Sequence, residues 1–316
     1  MSTRMLVMTG WITVVAIAAL LVTQYANWTS TREVVALQAL TPYIAFTAFP
    51  IAALALVVRR WSLAGAAGAI AVVFVTLCWP LLFPTSQPAV SAGATPLRVF
   101  HGNLLCSNPR PEDIPDALAA LDADVLAFTE YTAEHSSIIL ASPVAHQYPY
   151  RIEYPRPGAG GSAIWSRYPL SEIDTPDSRF RSSAAVVDSP EQVTLYVVHP
   201  PSPMGSLGEW RDELGRLATL GHADAPVMMI GDFNATYWHP EFRDVLDAGW
   251  RDAHHVTGSG FSNSWPTDIR PMPTFVRIDR ALVNDGLVVT SVDDIDIPGS
   301  DHRGLLVDVA VAEQPS

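Results

Sequence analysis

The sequence predicts an α/β domain with sizeable sheets, carried behind three membrane-crossing helices. Three observations lead there. Residues 5–26, 34–58 and 61–83 contain no charged side chain. Residues 84–97 read "PTSQPAVSAGATPL", a Pro/Ser/Ala stretch with the composition of a linker. Beyond it, short β-branched and aromatic runs are interleaved with segments of helical apolar spacing.

Each uncharged run is long enough to cross a hydrocarbon core of about 30 Å at about 1.5 Å per residue. Three of them within the first 83 residues argue against buried helices of a soluble protein. The first is not a cleaved leader, because two more follow and no small-residue cleavage site stands out. Pro42 and Pro50 lie inside the second, where neighbouring helices can satisfy the freed carbonyls. Arg4 and the Arg59–Arg60 pair placed in the cytoplasm put Arg32, and everything after the third span, outside. The expectation is a multi-pass plasma-membrane protein, with residues 1–84 in the membrane, 85–96 as linker and 97–316 as an extracytoplasmic domain. Small residues at 64–69 ("AGAAGA") suit helix packing within or between chains, so the oligomeric state stays open.

In the domain, "LRVFHGNLL", "ADVLAFTEY", "GSAIWSRYPL", "AAVVDS", "VTLYVVHP", "PVMMIGDFN", "RIDRALV" and "GLLVDVAV" read as strands. "PEDIPDALAAL", "GSLGEWRDELGRLATLGH" and "PEFRDVLDAGW" read as helices, and "YPYR" at 148–151 as loop. This order is not the strict alternation of a doubly wound nucleotide fold. The chain has no lysine; only Glu33 of the 32 acidic residues and four of the 19 arginines precede residue 86, so the rest carries a formal charge of about −16. That weighs against a nucleic-acid partner, whose phosphates are met by a basic stripe. Cys78 in the third span and Cys106 in the domain do not suit a disulfide, and no zinc spacing or P-loop is present.

"MMIGDFNATYW" at 228–238 is an apolar run ending in Asp232, Phe233 and Asn234. One reading is a strand closed by an Asx-type turn. The other is a catalytic edge, with Asp232 and Asn234 on one face and Phe233 packed opposite. Other strands also end in polar residues: Asn103, Glu130, His199, Asp279, and Asp301–His302 ahead of the last strand. Asp, Glu, Asn and His gathered at one rim suit a hard-metal phosphoester site, since Mg²⁺ takes oxygen ligands and keeps several waters.

In order, "GNLL", "DVLAFTE", "GSAIWSRYPL", "VVHP", "GDFNA", "RIDRALV" and "GSDHRG" resemble the endonuclease/exonuclease/phosphatase superfamily across residues 97–313. The resemblance implies a deoxyribonuclease-like two-sheet α/β sandwich with the site at one edge, and a metal-dependent phosphoric ester hydrolase. It implies Mg²⁺ (or Mn²⁺) held by Glu130, with Asn103 beside it and Asp301 as a further ligand. Asp232 would orient or deprotonate the attacking water, and Asn234 would bond phosphoryl oxygens. His302, held by Asp279, would stabilise the charged transition state, and His199 would bind phosphate or protonate the leaving oxygen. Arg167 reads as structural, and His101, Trp238 and His239 as neighbours that pack or line the rim. Arg280 stands where membrane-anchored relatives often carry His.

"SWP" at 264–266 resembles a bacterial branch associated with glycopeptide resistance and envelope lipid carriers. Together with the tether, it leads to an expected Mg²⁺-dependent phosphohydrolase of a membrane lipid or cell-envelope phosphate or diphosphate. The alternatives are an extracytoplasmic nuclease and a non-enzymatic membrane scaffold that binds lipid or a partner.

Overall fold

The computed structural model describes residues 3–222, 225–269 and 271–313. Five helices come first: α1 (Thr3–Tyr25), α2 (Arg32–Ala39), α3 (Thr41–Phe46), α4 (Ala48–Val57) and α5 (Trp61–Leu82). Helices α1 and α5 are each long and apolar enough to cross a membrane, and α2 with α3–α4 makes a third candidate bent by 59°. Val15, Ile12 and Val72 are more than 60% exposed along these helices, as side chains facing lipid would be. Ala64 and Ala67 of the small-residue stretch, with Ala71 just beyond it, turn inward against Val14, Ile17 and Ala48.

The second expected span therefore needs correction. Residues 34–58 do not form one helix. Pro42, with no N–H to donate, opens α3, and α2 swings aside because Val35 is buried among Trp210, Phe233 and Ala235 of the following domain.

That domain holds β1 (Leu97–Asn103), α6 (Ile114–Ala119), β2 (Val125–Thr129), α7 (Ala133–Leu140), β3 (Tyr150–Tyr154), β4 (Ser162–Ser166), β5 (Leu170–Glu172), β6 (Ser183–Val187), β7 (Val193–Val198) and α8 (Leu207–Ala218). It continues with β8 (Val227–Asp232), α9 (Pro240–Asp247), β9 (Arg251–Asp252), α10 (Ala253–Val256), β10 (Asp279–Val283), β11 (Leu287–Asp296) and β12 (Arg303–Val311). Two six-stranded mixed sheets result, ordered β11-β12-β1-β2-β4-β3 and β5-β6-β7-β8-β10-β9. They form the expected two-sheet sandwich. Alternate residues of the central strands meet between the layers, among them Val99, Ala127, Leu195, Ile230, Ala281 and Val307. The opposite faces carry two further cores beneath the helices.

Four sequence expectations shift. "YPYR" runs into β3, which pairs with β4 at a sheet edge. "GSAIWSRYPL" is two strands, because the chain leaves one sheet after Ser166 and enters the other at Leu170. β11 was hidden by its acidic second half, "DDID", which as an edge strand can stay partly solvated. The segment read as linker is pinned: Val90 bridges Ala312, and the Gln87 side chain bonds both the N–H and the C=O of Val289.

Arg280, fully buried, donates to Asp252 at 2.5 Å and stacks over Phe242, 4.4 Å from the ring centroid. Strand alternation points it away from the face that carries Asp279, so it does not stand in the catalytic cleft. Burial pushes Asp252 up, but His255, Arg280 and His254 outweigh it and hold the carboxyl below its ordinary 3.8. Asp294 is held down against burial in the same way by His254 and Arg277. Carboxyls depressed on folding stabilise the fold above about pH 4 and lose that contribution as pH falls. Thermal unfolding of the full chain in detergent should show stability declining below that pH. Asp252→Ala, which strands the Arg280 charge, should cost about 3–5 kcal/mol at pH 7 and flatten the acid decline.

Candidate active site

The inward faces of the central strands end in polar side chains at one edge of the sandwich. On β1, Leu97 and Val99 are followed by His101 and Asn103; on β8, Met228 and Ile230 by Asp232; on β10, Val283 and Ala281 lead back to Asp279. β8 and β10 are antiparallel with Asp232 opposite Asp279, so two buried carboxylates sit side by side. His199 extends β7, and His302 immediately precedes β12.

Side-chain hydrogen bonds join the sheets at this edge, among them Ser162 Oγ with Ser183 Oγ at 2.6 Å. The Asn103 amide lies 3.2 Å from both Glu130 Oε1 and Asp232 Oδ2. His302 Nδ1 lies 2.8 Å from Asp279 Oδ2. His302 Nε2 is 3.9 Å from Asp232 Oδ2 and 3.8 Å from Asp301 Oδ1, and His199 Nε2 is 3.5 Å from Asp232 Oδ2. All eight sequence-designated residues thus gather at one edge. Asp301 sits at its margin, its Oδ2 accepting the Trp265 indole N–H at 3.0 Å.

The "GDFN" stretch combines the Asx-type turn of one reading with the shared facing of Asp232 and Asn234 expected by the other. The N–H of Asn234 donates to Asp232 Oδ1 at 2.8 Å in an Asx-type turn, so Asn234 lies beyond the strand rather than in it. Asp232 and Asn234 nevertheless face the same cavity, while Phe233 packs into the helix-covered core. Gly231 permits the close approach of β7, because a Cβ there would meet Val198 O at 2.0 Å. Glu130 (φ 54°), Asn234 (φ 49°) and Leu105 (φ 58°) all adopt left-handed backbone conformations, a cluster of local strain at the site.

Burial, followed by the Asp279 charge, pushes Asp232 up; His302 and His199 oppose it. Burial would also raise Glu130, but His199, the Cys106 N–H and Asn103 hold it below the usual carboxylate value. For His302 burial is outweighed by Asp279, Asp232 and Asp301, which push the imidazole up to about 10. His101, fully buried, is pushed down to about 3 by burial and stays neutral beneath the site, 4.0 Å from Asp279.

The donor set fits a hard divalent cation. Carboxylate oxygens of Glu130 and Asp232 converge on one point, now met by the Asn103 amide, and buried Asp301 Oδ1 and Asp279 Oδ1 have no hydrogen-bond partner. Among the described residues, the tightest cluster of metal-ligand type is Asp232, Asp279 and His302, whose atoms lie within 4.8 Å of one another. This cluster differs from the expected set of Glu130, Asn103 and Asp301. Its imidazole is already bonded to Asp279 and carries a proton, so it serves better as an electrostatic partner than as a ligand.

Several positioning residues escaped sequence reading. Ser300 Oγ donates to Asn103 O at 2.7 Å and accepts from the His302 N–H at 3.0 Å, tying the loop to β1. Ser264 Oγ accepts from the N–H groups of Ile278 and Asp279. Phe180 tilts against His199 with centroids 4.9 Å apart. Serines inside "GSDH" and "SWP" gave the only signal; Phe180 gave none. Arg167 is structural as expected, paired with Asp122 at 2.8 Å. His239 is a fastener: Nδ1 accepts from the Thr236 N–H, so Nε2–H donates to Val35 O of α2, each at 3.0 Å.

A family model described as "Endonuclease/Exonuclease/phosphatase family" matches residues 99–302. Among solved structures, an endonuclease/exonuclease/phosphatase from Beutenbergia cavernae is similar at 18% identity, covering 70% of this chain and 72% of that one, with TM-score 0.55. Zebrafish (D. rerio) TDP2 complexed with a single-strand DNA product is similar at 19% identity, covering 68% and 99%, with TM-score 0.57. The 3′ phosphatase NExo from Neisseria, bound to a product DNA hairpin, is similar at 17% identity, covering 67% and 98%, with TM-score 0.55. No curated protein matches the chain. With the fold, the edge of carboxylates and imidazoles, and a family match spanning most of the domain, the chain belongs to the endonuclease/exonuclease/phosphatase family of metal-dependent phosphoric ester hydrolases.

Proposed function

We propose that the chain hydrolyses a phosphate or diphosphate ester on a membrane lipid or lipid-linked envelope intermediate, using Mg²⁺ at the outer face of the membrane. One observation carries this reading. The cavity that holds Glu130, His199, Asp232, Asn234 and His302, about 480 Å³, is walled on one side by Val35, Ala36, Ala39 and Leu40 of the apolar N-terminal segment. A soluble polyanion would meet an apolar wall there. A lipid head group would meet the reactive edge with its tail still beside the membrane helices.

The charge of the domain supports the same choice over DNA, since binding a DNA backbone rests on Lys and Arg. The helix directions support the location. The C-terminal ends of α1 and α5 adjoin the domain, with Arg243 donating to Gln24 O at 2.8 Å and Gly260 N–H to Leu81 O at 3.0 Å. Arg4 and Arg59–Arg60 lie at the opposite helix ends, the cytoplasmic side by the positive-inside rule.

Glu130, with Asn103 and Asp301, would hold the metal, which supplies charge neutralisation to the phosphoryl oxygens. Asp232, its basicity raised by burial, takes a proton from the attacking water. Asn234 spends one amide proton on Pro200 O at 3.0 Å and has the other for a phosphoryl oxygen. The His302 imidazolium stabilises charge as the phosphorus–oxygen bond breaks. His199 delivers a proton to the leaving oxygen.

The full chain in detergent with Mg²⁺ should cleave a member of a panel of polyprenyl phosphates, polyprenyl diphosphates, phosphoinositides and sphingomyelin. Asp232→Ala should lose about a thousandfold or more. Cleavage of plasmid DNA with no lipid turned over contradicts the reading, and silence on every substrate favours a scaffold. Asp279→Asn tests the His302 assignment. In the metal-free wild type, NMR of the imidazole should show titration near pH 10, so the charge stabilises fully below about 6.5 and is lost as pH rises through 10. In the variant the imidazole should titrate well below that value, and turnover should fall by about 10²–10⁴-fold.

A further inference from the structure

We infer that the apolar cavity between α3, α5 and the Thr236–Trp238 segment is a subsite for one long hydrocarbon chain of the substrate lipid. The inference rests on the lipid reading and adds where the tail lies. The cavity, about 590 Å³, is within the range of ligand pockets. It shares Ala39, Thr236, Phe275 and Val276 with the catalytic cavity, so the two lie side by side.

Its walls are hydrocarbon and aromatic. Trp238 stacks on Phe74 of α5 with ring centroids 6.0 Å apart, and Phe49 meets Phe74 edge-on at 6.4 Å. The polar groups at its border are already engaged: Arg277 with Asp294 at 2.6 Å, Arg280 with Asp252 at 2.5 Å, and the Tyr43 hydroxyl with Phe275 O at 2.8 Å. Among the described residues no free charge is offered to a second phosphate, which leaves the cavity to apolar matter. Phe46, Val75 and Leu82 line it while remaining 46–61% exposed, so it opens sideways on the surface that faces lipid. From Leu82 back to Val75, α5 rises about 10 Å along the span. A tail can enter from the bilayer there while its phosphate lies in the adjoining cavity that holds Asp232, across the rim formed by Ala39, Thr236, Phe275 and Val276.

The test is equilibrium binding of a monoalkyl phosphate series, butyl to hexadecyl, to the full chain by native mass spectrometry. The variants are Val75→Trp, and Leu82→Trp as a second exposed position in case the first misfolds. Wild-type affinity should rise roughly fourfold per methylene while the tail is being buried. Each variant should weaken hexadecyl phosphate at least tenfold and leave butyl phosphate unchanged. Equal effects on both lengths, no effect on either, or an affinity that ignores chain length overturns the subsite. Hydrolysis of panel lipids with variant-independent binding would remove the subsite and leave the function standing. Cavity-dependent binding without hydrolysis of any lipid would do the reverse.

Discussion

Contacts between the sheets that engage buried carboxylates, Asn103 to Asp232 and His302 to Asp279, hold the reactive end of this molecule together. Each links a residue of one layer to a carboxylate of the other. They are needed because the register of β8 and β10 sets two buried acids opposite each other, an arrangement unstable without compensating charge. The imidazolium of His302 supplies that charge, and the amide of Asn103 adds a hydrogen bond to Asp232. His302 and Asp232 then face the cavity that also holds Glu130, His199 and Asn234.

The apolar N-terminal segment is structurally part of this site. α2 is held by Val35 in the domain core, by His239 on the Val35 carbonyl, and by Arg32 on Gly205 O at 3.0 Å. Thr29, just ahead of α2, is bonded by Arg211 and Glu241. Trp238 packs into the helical bundle only a few residues after Asn234. Chain continuity therefore connects the turn that carries Asn234 to the apolar N-terminal helices.

Much of this was legible from residues alone. Apolar runs such as "PVMMIGDFN" and "LRVFHGN" marked strands that end in polar residues, and the ordered set of motifs picked out Asp232, Asp279, His302 and Asn103. The bend ahead of Pro42 was not legible, because α2 deviates through tertiary docking of Val35, and hydropathy cannot distinguish a docked helix from a spanning one. β3 and β11 were missed as edge strands whose partial solvation blurs alternation. Arg280 stood out in the sequence only as a departure from the His of relatives; its role follows from the opposite strand face and from Asp252, 28 residues earlier.

The claim at the centre of the account is that the reactive edge serves the bilayer in which the protein is anchored. The direct measurement reconstitutes the full chain in vesicles and supplies a long-chain lipid phosphate either in those same vesicles or in separate protein-free ones. Product release confined to lipid sharing the protein's own bilayer is the predicted result. Equal rates from both placements would contradict the account, because the site would then be open to substrates arriving from solution.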